Sequence, residues 1–269
     1  MCFDSADKLV MAANNADDPP FASIISTETY KVVAQIPFDG SNNAPKSTNG
    51  AEQCQWSPRT GMFYISIPGV NDPDDGTGVV AVIDPKTKKV VKVFPIPVED
   101  CAAPQGMAVG PDSQILLGCN AQFPDGQANT VIINERHGAI IRTLRGLGGN
   151  DEVWFNPGDG HYFLAEGQLP VPPNGPGTEQ LGIVDSAGKR PDKAVLTANN
   201  PGGTTRRAHS VAADPGANEV YVPIPQNTTG FSSTLCSDPT KGCVAVFGPV
   251  GKDERPRTVQ EREPDDRQE

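Results

Sequence analysis

The sequence lacks any run of about 18 consecutive apolar residues, so no segment reads as a membrane-spanning helix. Basic residues are in short supply: 22 Lys and Arg stand against 33 Asp and Glu, a net charge of −11. A surface of that sign repels phosphate backbones, which excludes nucleic acid as an expected partner. The six cysteines form no paired CxxC motifs, so a structural zinc site is not expected. The N-terminal MCFDSADKLVMAANN has no basic region followed by an apolar run and does not read as a signal peptide. No GxSxG elbow, HExxH pair or P-loop occurs, and no GxGxxG follows a strand, so the commonest hydrolase and nucleotide signatures are missing.

What is abundant is turn chemistry. Gly 28 and Pro 27 make up about a fifth of the 269 residues, yet apolar residues still account for 36%. That combination describes many short strands joined by tight turns.

The strongest signal is internal repetition. AEQCQWSP, PQGMAVGP, NDEVWFNP and AHSVAADP end at Pro58, Pro111, Pro157 and Pro215. Each is a short apolar run closed by a proline, which cannot donate to a strand ladder. A turn and a second apolar run follow each one: MFYISIP, QILLGCN, HYFLAEG and EVYVPIP. Third runs are VVAVID, NTVIIN, LGIVD and CVAVF; fourth runs, in the first three units, are VVKVFPI, AIIRTL and KAVLTA. Four strands repeated at 46 to 58 residues are the blade pattern of a β-propeller. A sandwich would not repeat in fours, and a solenoid would repeat at about half this spacing.

The N-terminal segment fits the same register through LVMAANN, FASIIST and VVAQIPF, with MCFDS as the tail of a first strand. The expected fold is therefore an all-β propeller of four-stranded antiparallel blades. About five blades are present, with the first and last incomplete, over residues 1–250. Residues 251–269 are charged and nearly free of apolar side chains, and are expected to be disordered. The unmatched terminal blades suggest N-terminal truncation from a parent of six or seven blades, one that could carry a signal peptide.

Cys236 and Cys243 bracket the polar loop SDPTKG and read as a bridged hairpin; Cys101 and Cys119 read as a weaker second pair. Disulfides would place the parent in the periplasm or outside the cell. Cys54 lies within a first strand, where apolar surroundings would raise a thiol pKa. Trp56, Trp154 and Phe155 read as packing between blades.

VVAVIDPKTKKVVKVF resembles the YVTN-type repeat of bacterial propellers. AHSVAADPGANEVYVPIP resembles the strand pair of that group and of the SMP-30/gluconolactonase and NHL propellers. The resemblance spans residues 1 to about 248. It is specific for fold; members include lactonases, lyases, carriers and proteins without chemistry.

In a propeller the first strand of each blade lines a central channel. Six residues before each strand-ending proline stand Glu52, Gln105, Asp151 and His209; one residue later come Gln53, Gly106, Glu152 and Ser210. These positions are expected to converge at one mouth of the channel. Such a ring could hold a divalent cation through oxygen ligands. It could supply a general base, His209 or Glu152, tuned by burial among carboxylates. Or it could bind ordered water. The lactonase resemblance implies a metal ion (calcium, zinc or manganese) on Glu52, Asn150 and Asp151. His209 could equally serve only to hydrogen-bond a neighbouring blade. Gln105, Arg206 and Arg207 are candidate substrate contacts, the arginines suiting a carboxylate or phosphate unless they form a solvated loop. His137 and His161 sit peripherally in their blades.

Two long loops, 167–180 and 226–243, are expected to emerge on one face and could form a rim, and Asn227-Thr228-Thr229 matches a glycosylation acceptor. The partner is a small molecule or protein at the channel mouth. The two functions that remain are a binding or scaffold propeller and a metal-dependent, lactonase-like hydrolase.

Overall fold

The structure is a computed structural model. It describes residues 1–70, 76–120, 129–169, 178–189, 192–196, 209–224, 236, 238 and 241–248. The described residues fold into five antiparallel sheets, each a simple up-and-down meander. Blade 1 comprises β1 (Cys2–Asp4), β2 (Leu9–Asn14), β3 (Phe21–Ser26) and β4 (Val32–Pro37). Blade 2 comprises β5 (Cys54–Ser57), β6 (Met62–Ile67), β7 (Gly78–Asp84) and β8 (Lys89–Ile96). Blade 3 comprises β9 (Pro104–Val109), β10 (Gln114–Cys119), β11 (Asn129–Asn134) and β12 (Ile140–Arg145). Blade 4 comprises β13 (Asn150–Asn156), β14 (His161–Leu169), β15 (Thr178–Asp185) and β16 (Lys193–Leu196). Blade 5 shows three strands, β17 (Ala212–Asp214), β18 (Glu219–Ile224) and β19 (Cys243–Phe247). These are the blades expected from the repeat. Residues 251–269 lie outside the described residues, and no described helix is long and apolar enough to cross a membrane.

The middle strands of blades 2 and 3 are apolar at nearly every position because both of their faces are covered. Side chains alternate across a strand. In β7, Val79, Ala81 and Ile83 face blade 1, whereas Val80 and Val82 face blade 3. In β11, Val131 and Ile133 face blade 2 and Ile132 faces blade 4. Four apolar cores result, one between each successive pair of blades.

The turns repeat as well. A residue ending each third strand accepts a backbone N–H two residues on: Asp84 from Lys86, Asn134 from Arg136 and Asp185 from Ala187. Asx turns of this kind set the hairpin to the fourth strand.

The blades are also pinned by polar contacts at their rims. The buried Glu135, after β11, receives Arg59 Nε at 2.7 Å and Ser57 Oγ at 2.7 Å, both from blade 2. The same guanidinium donates to Gly110 O at 2.6 Å. Burial works against the Glu135 charge, but the hydrogen bonds from Arg59 and Ser57 outweigh it and hold the carboxyl below its ordinary range.

All six cysteines are bridged. Cys101–Cys119 and Cys236–Cys243 are the pairs expected from the sequence. The third bridge, Cys2–Cys54, corrects the reading of Cys54 as a thiol. It joins the first strands of blades 1 and 2 across 52 residues of sequence, a proximity only the ring geometry creates. Trp56 and Phe155 pack into inter-blade cores as expected. Trp154 departs from that expectation and stays 40% exposed. It lies on the face opposite Val153 and Phe155, which pack on blade 3.

Breaking the pair between blades 2 and 3 leaves Glu135 charged and buried. Arg59→Ala is expected to destabilise the protein by about 3 kcal/mol at neutral pH. The paired carboxyl titrates low, so its contribution is lost as pH falls through the folded pKa. The gap between wild type and variant should therefore narrow on acidification, as read from urea denaturation at pH 7 and pH 4.

Candidate functional site

The first strands of successive blades lie beside one another, and those of blades 2, 3 and 4 begin irregularly. In blade 3 the β9–β10 register shifts between Leu117 and Cys119; in blade 4 the β13–β14 register shifts between Asn150 and Val153. In blade 2, Glu52 N–H donates to Ser66 O at 2.9 Å ahead of the regular pairing. Bulges of this kind re-aim side chains. They fall at the positions that the repeat aligns.

One amide draws these starts together. Gln53 Oε1 accepts the backbone N–H of Met107 at 2.8 Å and of Val153 at 3.1 Å. Its Nε2 donates to Val153 O at 3.2 Å. A blade 2 side chain thus satisfies backbone groups of blades 3 and 4 at once. The approach is close enough to exclude a side chain at Gly106, where a Cβ would lie 2.9 Å from Asp151 O. Gln53 was legible only as a repeat position; its bridging role depends on the one-residue offset from Glu52.

Around this amide the acidic side chains gather. Asn15, after β2, donates Nδ2 to Glu52 Oε1 at 3.0 Å and accepts the Ala51 N–H at 3.1 Å. The Glu52 carboxyl is pushed above its ordinary value, first by burial and then by the charge of Asp151, with Glu152 adding to it. The Asn15 hydrogen bond and the His209 imidazole act in the opposite direction. Asp151 forms an ion pair with His209 Nδ1, whose side chain is 65% exposed. Glu52, Asp151, Glu152 and His209, from three blades, therefore share one electrostatic environment.

The other predicted site residues sit differently. Gln105 is half-buried; its side-chain Oε1 is buried without a partner, and its backbone carbonyl accepts from Ser66 Oγ. Asn150 is fully buried against Gly118, with Nδ2 donated to Thr130 Oγ1 at 2.7 Å. That direction ties its amide nitrogen to blade 3. Its Oδ1 has no protein partner. Among the described residues no three His, Cys, Asp or Glu side chains are arranged to hold a metal ion. Arg206 and Arg207 lie outside the described residues, as do most of the loops 167–180 and 226–243. His137 is exposed in a turn, and His161 pairs with Asp159 at 3.4 Å on β14.

Comparison with known proteins bears on the fold. The chain resembles a hydrazine synthase structure of Kuenenia stuttgartiensis with a TM-score of 0.62 at 13% identity, over 93% of this chain and 62% of that one. It resembles the WD40 domain of Neurospora crassa Pan2 with a TM-score of 0.57 at 12% identity, over 91% and 60% of the respective chains. A luciferin-regenerating enzyme matches with a TM-score of 0.53 at 13% identity, over 93% and 76%. The chain thus spans less than two thirds of the hydrazine synthase and Pan2 chains. No protein-family model matches the chain, and no curated protein matches it. These likenesses show the propeller fold alone and carry no activity across.

The crowding of carboxylates yields a direct expectation. A carboxyl titrating above its unfolded value of 4.5 keeps a proton that the unfolded chain releases. Raising the pH through that window therefore costs stability. Glu52→Gln removes the cost while keeping an acceptor for Asn15. The variant should melt higher than wild type at pH 7, with the difference vanishing below about pH 4, by scanning calorimetry.

Proposed function

We propose that this β-propeller is a binding protein of an oxidising, extracytoplasmic compartment. Its ligand-recognition site is the acidic cluster at the mouth of a polar central channel. The observation that carries the reading is that Glu52 lies within reach of the charges of Asp151, Glu152 and His209, with Asp151 beside His209. Burial and the neighbouring carboxylates raise the cost of ionising Glu52, and a cation relieves it. The ligand class is therefore a small molecule or protein segment bearing an ammonium or guanidinium group. Gln105 adds a buried acceptor, Oε1, that lacks a protein donor. The compartment is supported by the bridging of all six cysteines, a pattern of oxidising environments. Arg206 and Arg207, immediately before His209 in sequence, are proposed to border the site and to select a ligand that also carries an anionic group.

A second reading uses the same oxygen-rich cluster. In a metal-dependent, lactonase-like hydrolase, Glu52, Asn150 and Asp151 would hold calcium, zinc or manganese, and His209 or Glu152 would serve as base. Its support is the pair of unpartnered side-chain oxygens, Gln105 Oε1 and Asn150 Oδ1. Against it stand the Asn150–Thr130 hydrogen bond and the lack of a three-ligand group among the described residues.

Thermal-shift titration separates the readings. Spermidine at low ionic strength is expected to raise the melting temperature of wild type. The shift should fade with added salt and disappear in Asp151→Asn. Stabilisation by calcium, zinc or manganese without any effect of spermidine would favour the hydrolase. No shift with either would remove the channel mouth as a cation site.

A further inference from the structure

Each inter-blade core is built from the same two rows of side chains. One row runs through the second residue of β1 and its cross-strand partners: Phe3–Val10–Ile25–Val32. Its equivalent in blade 2 is Trp56–Phe63–Ile83–Val90, and in blade 3 Val109–Ile115–Ile133–Ile140. In blades 2 and 3 this row packs on the blade before it. Tyr162 and Val184 do the same in blade 4, and Val220 in blade 5. The opposite row, such as Cys2–Met11–Ile24 in blade 1, packs on the blade after it.

Blade 1 breaks this regularity. In blade 2 Trp56 is half-buried, Phe63 and Ile83 are 0% exposed and Val90 is 2%; in blade 1 Phe3, the equivalent of Trp56, is 49% exposed and Val32, the equivalent of Val90, is 55% exposed. Val10 and Ile25, between them, are only half-buried. Among the described residues the five blades accordingly have four cores, and none joins blade 5 to blade 1. A row of four apolar side chains across a whole sheet is not an ordinary solvated face.

We infer that the Phe3–Val10–Ile25–Val32 face is an interface for a further blade of the same repeat, contributed by polypeptide outside residues 1–269. The argument is continuity with the established interfaces. In all four cores a row of one kind meets a row of the other kind, so this face requires the opposite row of a preceding blade. A second copy of the chain is the poorer occupant. Two blade 1 faces would set like row on like row. The far face of blade 5 carries Tyr221, whose hydroxyl is bonded to Glu219, with Pro223, Val244 and Val246, but among the described residues it has three strands, one short of the four that the opposite row of blade 1 spans.

Hydroxyl-radical footprinting of the aromatic side chains tests this. Tyr30, 87% exposed in the β3–β4 turn and off the row, is the internal reference. The protein isolated from its natural source is compared with residues 1–269 produced alone. The Phe3 to Tyr30 oxidation ratio is expected to be about tenfold lower in the natural protein, as for a side chain passing from half-exposed to buried. Equal ratios in the two preparations would overturn the inference. So would a ratio that falls with rising concentration of residues 1–269 alone, which would assign the face to a second copy.

Discussion

A primary amide that must satisfy backbone groups from two other blades constrains the centre of this molecule. Gln53 reaches Met107 and Val153, both themselves fully buried. A buried N–H without a partner costs about 1–3 kcal/mol. The first strands of blades 2, 3 and 4 are therefore held at the separation one glutamine spans. Gly106 is bare because that separation leaves no room for a side chain. The Cys2–Cys54 bridge extends the same tie to blade 1, and the Asp151–His209 pair extends it to blade 5. Glu52, next to Gln53, is brought among the acidic side chains of blade 4 as a consequence.

The rest of the fold is supported by repetition. Each middle strand of blades 2 and 3 buries both faces, so its sequence is apolar throughout rather than alternating. Adjacency between blades is thereby the main source of burial. Polar contacts then set the angle between neighbours. Glu135 between blades 2 and 3 is one such pin, and the Tyr162 hydroxyl on Gln114 between blades 4 and 3 is another. Burial raises the Tyr162 phenol well above its ordinary value, which keeps it a neutral hydrogen-bonding group.

The blades were legible because their signals are local. A proline after the first strand, a capped turn after the third and apolar runs of five to seven residues each lie within a few positions of one another. Two of the three disulfides were legible for the same reason, at separations of 7 and 18 residues. The Cys2–Cys54 bridge, the Asn15–Glu52 hydrogen bond and the Gln53 amide were not legible. All three cross between blades, and their partners are fixed only by how the sheets pack. The repeat alignment did group Glu52 with residues whose charges it feels, namely Asp151, Glu152 and His209. It could not show that Asn150, one residue from Asp151, turns its amide to Thr130 instead, because a bulge reverses direction over one residue.

The central claim is that one side chain registers three blades, and that the acidic cluster depends on it. Native-state hydrogen exchange at the Met107 and Val153 amides reads this directly. In the unmodified protein both amides should exchange as slowly as those of β11. In Gln53→Leu, which keeps the volume but not the acceptor, both should exchange through local opening, faster than β11, while β11 itself still reports a folded protein. Unchanged protection of Met107 and Val153 in that variant would contradict the account.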